Sequence, residues 1–158
     1  MIAEGVARRS IWLADDGRSV EIIDQTRLPH EFVVRRLRHL EQAVEAISAM
    51  WVRGAPLIGV TAAYGVALQM AEDPSDASLA RALDTLIATR PTAVNLRWAL
   101  DQMRAALSGL ASIDRSEAAY RRAAQLADDD VETCRQIGVH GVALIEAICE
   151  RRGGSDPV

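Results

Sequence analysis

Residues 54–70, GAPLIGVTAAYGVALQM, carry no charged side chain, and this run limits what the chain can fold into. Leu57, Ile58, Val60, Ala62, Ala63, Tyr64, Val66, Ala67 and Leu68 leave no polar face, so a helix here must be buried on all sides. Three glycines interrupt the run, which makes it a poor membrane span. Gly59 and Gly65 instead suit close packing against neighbouring helices. Pro56 fits the first turn of a helix, where its missing N–H costs nothing, and Gly54 lets the chain turn sharply before it. The free N–H groups and positive dipole end of that helix would face the turn holding Arg53. That is the outline of an anion site. The same residues also suit a plain core helix in which Arg53 pairs with a carboxylate of the chain.

A similar arrangement recurs at Thr89-Arg90-Pro91-Thr92. An arginine precedes a proline, and Leu96, Leu100, Met103 and Leu107 then form one apolar stripe at helical spacing. Asn95 falls within a turn of the expected helix start. If the fold brings Arg53 and Arg90 together, their planar forks match the oxygens of a doubly charged phosphate.

Ahead of the uncharged run, the pattern is that of a small antiparallel sheet. Ile11-Trp12-Leu13 and Val20-Glu21-Ile22-Ile23 flank Asp15-Asp16-Gly17-Arg18, and Asp-Gly is a strong hairpin signal. Residues 33–37 supply a third strand, so strands are expected over 11–13, 20–24 and 33–37, with Arg35 and Arg36 facing water or a partner. Helices follow. Leu40, Val44 and Ile47 mark one buried face. Ser75 or Asp76 caps a helix carrying Leu79, Leu83, Leu86 and Ile87. Asp114 or Ser116 caps a long final helical region that includes Tyr120, Ala123, Ala124 and Ala127, with Asp128-Asp129-Asp130 as a solvated turn or face. Beyond Val131, the positions Cys134, Ile137 or Gly138, Gly141, Leu144 or Ile145, and Ile148 form a stripe of apolar and small residues. This stripe predicts packing roles for both cysteines, and a core or interface position for His140. His30 and His39 fall near loops and form no motif with it. The fold class is therefore mainly α: a helical bundle over residues 1–150 with a β-hairpin at about 10–37. Residues 151–158, with Gly-Gly-Ser-Asp-Pro, read as a linker.

Composition narrows the function. A net charge of −4 and a pI near 5.4 argue against general affinity for nucleic acid or anionic membranes. Every basic residue other than histidine is arginine, so Schiff-base lysine and P-loop lysine chemistry is excluded from this chain. Cys134 and Cys149 form no CxxC or Cys/His cluster, so neither a metal site nor a cofactor is expected. Without a signal-like apolar segment at the start, the expected location is the cytoplasm, with reduced thiols.

Several segments together resemble one family. They are Ile23-Asp24-Gln25-Thr26-Arg27-Leu28-Pro29, Val52-Arg53-Gly54-Ala55-Pro56, Ala63-Tyr64-Gly65-Val66-Ala67-Leu68, and Thr89-Arg90-Pro91-Thr92-Ala93-Val94-Asn95-Leu96. Trp98-Ala99-Leu100-Asp101 and Ile137-Gly138 with His140-Gly141 continue the match. The chain resembles the N-terminal portion of the methylthioribose-1-phosphate isomerases, which are grouped with initiation factor 2B regulatory subunits and ribose-1,5-bisphosphate isomerases. The Arg-Pro-Thr-Ala-Val-Asn-Leu segment favours the isomerase branch. The resemblance implies that Arg53, Gly54, Ala55 and Arg90 contact a sugar phosphate.

The resemblance also implies a Rossmann-like catalytic domain that this chain lacks. That domain supplies a cysteine in a Thr-His-Cys-Asn-type segment and an aspartate, neither of which matches Cys134 or Cys149. No catalytic residue is therefore expected here. The phosphate on the anomeric carbon keeps the sugar closed, so the ring must open before hydrogen moves from C2 to C1. An acid/base pair of the absent half would do that, while the present half grips and positions the substrate. The fragment alone is expected to be inactive, and the complete protein to be a homodimer. Two other readings remain: a regulatory subunit of the initiation factor 2B kind, and a non-catalytic helical interaction domain.

Overall fold

The computed structural model describes residues 2–3, 6–7 and 9–151. Short strands β1 (Ile2–Ala3) and β2 (Val6–Ala7) pair antiparallel, a pairing the sequence pattern does not signal. β3 (Ile11–Leu13), β4 (Val20–Ile23) and β5 (Val34–Leu37) form a three-stranded antiparallel sheet in that order. The expected hairpin is there, with strand ends within one residue of those expected. Gly17 takes φ +65°, and the Asp16 carboxylate accepts hydrogen bonds from the N–H groups of Arg18 and Ser19 and from the Ser19 hydroxyl. Those three donors hold the Asp16 carboxyl down at a pKa of about 2.

Arg35 and Arg36 do not simply face water. Arg36 lies opposite Glu21 in the β4–β5 register and bonds it at 2.6 Å. The Arg35 Nε donates to Asp24 at 2.6 Å.

α1 (Leu40–Ser48), α2 (Ala55–Glu72), α3 (Asp76–Thr89) and α4 (Val94–Leu107) follow. α2 is the centre of the bundle, with α1, α3 and α4 packed around it. It is buried continuously from Ile58 to Met70, as a helix without a polar face must be. Gly59 and Gly65 allow the neighbours in. A Cβ on Gly59 would stand 2.8 Å from the backbone oxygen of Asn95, and one on Gly65 would stand 2.9 Å from the Ala43 Cβ. The stripe Leu96, Leu100, Met103 and Leu107 is buried on the inner face of α4. Ser75 caps α3 by accepting from the Ser78 N–H.

Two helix starts differ from expectation. Pro91 does not begin α4, because Arg90 to Ala93 close a turn of their own, with the Ala93 N–H on the Arg90 carbonyl. α4 then starts at Val94. α5 (Ser112–Arg151) begins before both expected caps.

The chain divides into two compact units, Met1–Ala127 and Asp128–Val158. The first holds the sheet, α1 to α4 and α5 as far as Ala127, whose Ala118, Ala119, Ala123, Leu126 and Ala127 complete the core. Arg115, itself buried, fastens this part of α5 by donating to the Pro74 and Leu110 carbonyls and to Asp76.

In the second unit α5 runs on through Asp128-Asp129-Asp130, which form a solvated helical face and not a turn. The expected packing stripe is not covered here. Ile137 is 66% exposed and Leu144 69%, and Val131, Gly138, Val142 and Ile145 are exposed as well. Cys134 is exposed, against the packing role expected of it, Cys149 is half-buried, and His140 is exposed, so it takes no core position. Among the described residues of this unit, these apolar side chains are left largely uncovered. The expected linker at 151–158 lies, apart from Arg151, outside the described residues.

Candidate functional site

The first turn of α2 carries backbone donors without a capping side chain. Gly54, the residue before the helix, has φ +92°, a backbone region open to glycine and strained for other residues. Pro56 stands within the first two helical positions. No side chain caps this start and its first turn holds no acidic residue. The N–H groups of Gly54, Ala55 and Leu57 therefore have no acceptor among the described residues. α4 shares the trait, since Ala93 offers no capping oxygen and the first turn has no acid. By contrast, α1, α3 and α5 each carry an acidic residue in the first turn: Glu41, Asp76 and Asp114. An uncapped, acid-free helix start keeps its positive potential available for an outside anion.

The approach of Gly59 to Asn95 places these two starts side by side. Gly59 is just over one turn into α2, and Asn95 is the second residue of α4. Arg53 immediately precedes Gly54. Arg90 ends α3 and opens the turn to α4, so it sits at the mouth of α4 without abutting it. The Arg97 guanidinium donates to the Pro91 carbonyl at 3.4 Å and ties that turn to α4. Both Arg53 and Arg90 are exposed, and neither guanidinium has a carboxylate or hydrogen-bond partner among the described residues. Most other arginines are engaged: Arg27 with Glu31, Arg36 with Glu21, Arg121 with Glu117, Arg135 with Glu132. Among the described residues, no carboxylate pairs with Arg53.

A set of residues that spacing did not single out lies behind the Arg53 turn. The Gln25 N–H donates to the Trp51 carbonyl at 2.8 Å, and the Gln25 side-chain oxygen accepts from the Arg53 N–H at 3.1 Å. Next to it, Asp24 is fully buried and takes the Thr26 N–H, the Thr26 hydroxyl and the Arg35 Nε. Burial works against the charge on Asp24, but the Thr26 and Arg35 donors outweigh it and hold the carboxyl below its ordinary range. The Arg35 guanidinium in turn covers the Trp51 ring, 4.0 Å from its centroid. An aspartate ending a strand two residues before a threonine is the local signal for such a turn. Its link to Trp51 and Arg53 spans the sequence and has no local signal.

A hollow of about 430 Å³ lies toward the other end of α2, lined by Asp16, Arg18, Ser19, Arg38, His39, Leu68 and Glu72. Asp16 there accepts from the Ser19 hydroxyl, and His39 stands 3.7 Å from Glu72. It contains none of the residues predicted for the site.

A model of the initiation factor 2 subunit family matches residues 51–149. A methylthioribose-1-phosphate isomerase from Paramagnetospirillum magneticum is 60% identical over 147 residues, covering 93% of this chain and 41% of the relative. The chain thus spans about two fifths of the length of the curated isomerase that it matches. Among solved structures, the 5-methylthioribose 1-phosphate isomerase from Pyrococcus horikoshii aligns with a TM-score of 0.73 and 34% identity, over 80% of this chain and 37% of that one. The translation initiation factor eIF-2B subunit delta from A. fulgidus aligns with a TM-score of 0.72 and 38% identity, over 80% of this chain and 38% of that one. With half of its length and more matched by the family's own model, the chain belongs to the initiation factor 2 subunit family.

Proposed function

We propose that this chain is the substrate-gripping, N-terminal portion of an aldose–ketose isomerase acting on 5-methylthioribose 1-phosphate to give 5-methylthioribulose 1-phosphate, a step of methionine salvage. One observation carries the reading: the two helix starts without cap or acid, α2 and α4, lie together, and the arginines at their mouths, Arg53 and Arg90, are unpaired. Their donors suit a phosphate dianion. The likeness to the isomerases supplies the sugar. Arg53, Gly54, Ala55 and Arg90 bind the phosphate, and proton transfer belongs to a Rossmann-like part of the complete protein, a cytoplasmic homodimer. This chain offers a grip without an acid/base pair, so it binds without turnover.

The test is a titration of the purified chain with 5-methylthioribose 1-phosphate, followed by backbone amide NMR and by assay for the ketose. The expected result is saturable shifts centred on Gly54, Ala55 and the residues around Arg90, with no ketose formed. Shifts elsewhere, or none at millimolar ligand, would sink the reading.

A second reading draws on the likeness to the archaeal initiation factor 2B subunit: the same scaffold serving as a regulatory subunit. It predicts no preference for the sugar phosphate over inorganic phosphate in the same titration.

A further inference from the structure

We infer that Gln25 is a positioning residue for the Arg53–Gly54 turn, holding the donors of the proposed anion site in place from the side away from the ligand. This rests on the reading of that turn as the phosphate grip, and it adds a residue that contacts no substrate.

Met50, the residue after the end of α1, is the one described non-glycine residue with positive φ, at +60°, and Gly54 follows at +92°, a region open to glycine. A non-glycine residue in left-handed backbone relies on surrounding contacts to hold it. Some come from the flanking helices: the Met50 N–H donates to the Ile47 carbonyl and the Val52 N–H to the Ala46 carbonyl at the end of α1, and the Gly54 carbonyl accepts from the Ile58 N–H of α2. The rest come from Gln25 and Arg35. Gln25 clamps the turn twice, donating its own N–H to the Trp51 carbonyl at 2.8 Å and accepting the Arg53 N–H on its side chain at 3.1 Å. Gln25 cannot swing away, because Asp24 beside it is buried and tied to Thr26 and Arg35. Arg35 completes the loop by lying over Trp51. Two segments far apart in sequence are thereby fixed to each other by three separate contacts.

The direction of each bond also matters. The Arg53 N–H is committed to Gln25, and the N–H groups of Gly54 and Ala55 are left as open donors among the described residues. Removing the Gln25 oxygen frees the Arg53 peptide to flip. The Arg53 side chain and the Gly54 N–H then lose their fixed bearing, and a bound anion would have to order them again.

The experiment compares the natural chain with Gln25→Met, which keeps length and removes the acceptor, and Gln25→Glu, which restores it. Amide hydrogen exchange at Arg53 is read alongside the thermal midpoint and the affinity for 5-methylthioribose 1-phosphate. Gln25→Met should speed exchange at Arg53 by about tenfold, in keeping with loss of one hydrogen bond, while exchange in the middle of α2 stays unchanged. Gln25→Glu should return the Arg53 amide to slow exchange. Affinity for the sugar phosphate should fall by about tenfold in Gln25→Met. A merely structural glutamine would lower the midpoint and speed exchange across α2 as a whole, which overturns the inference. Unchanged exchange at Arg53 also overturns it, as does faster exchange with affinity intact. If the natural chain binds no sugar phosphate, the proposed function fails on its own account, and the exchange data alone decide whether Gln25 holds the turn.

Discussion

Asp24 illustrates how a single residue here acts through its surroundings. A carboxylate with no exposed surface is costly unless its oxygens are satisfied, and Thr26 and Arg35 satisfy them. At the hairpin turn the half-exposed Asp16 is likewise bonded by Ser19 and Arg18. Both carboxyls are held below the ordinary aspartate value of 3.8, Asp16 at about 2. A group depressed in the folded state binds its proton more readily in the unfolded chain. It therefore contributes stability above the unfolded value and loses it as pH falls through the folded one. Thermal unfolding followed from pH 6 downward should show a stable plateau, then a steepening fall in midpoint below about pH 4. The Asp16→Asn variant should show a lower plateau and a shallower acid limb. An identical acid limb in that variant would mean that the turn carboxylate contributes nothing to the pH dependence.

At the scale of elements, the local patterns were largely legible and the long-range ones were not. Asp16-Gly17 marked the hairpin because its turn chemistry is local. The stripe from Leu96 to Leu107 marked the inner face of α4 because a helix places those positions on one side. The uncharged helix behind Arg53 singled it out as a candidate for an anion site. Pro91 misled, since a proline before a stripe suggests a helix start, whereas here it serves a turn that closes on Arg90. Cys134, Ile137 and Leu144 misled for another reason: periodicity identifies an apolar face but not whether the chain supplies something to cover it. Gln25 stood in a segment of resemblance but carried no role, because its bonds join residues 26 and 28 positions apart. The packing of α2 on α4 carries its own prediction. In Gly59→Ala the new Cβ would meet the Asn95 backbone oxygen at 2.8 Å, and backbone cannot yield as a flexible side chain does. The two helix starts must move apart, at a cost of about 1–3 kcal/mol. Chemical denaturation should show that loss, and sugar-phosphate affinity of the folded fraction should fall with it. Full affinity in a destabilised Gly59→Ala chain would show that the two starts do not act as one site.

The chain spans about two fifths of the length of the Paramagnetospirillum magneticum isomerase, and under the proposed function it grips a substrate that other parts of the complete protein transform. That reading requires Arg53 and Arg90 to act on the same phosphate. Calorimetric binding of 5-methylthioribose 1-phosphate to the natural chain, Arg53→Ala, Arg90→Ala and the double variant tests this most directly. Charge-assisted hydrogen bonds of about 1.5–3 kcal/mol each predict a ten- to hundredfold loss for either single substitution. Two arginines on one phosphate depend on each other, so the double variant should lose clearly less than the product of the single losses. Lysine at either position should rescue poorly, lacking the planar fork. Single substitutions that leave affinity unchanged, or losses that multiply fully in the double variant, would contradict a shared phosphate.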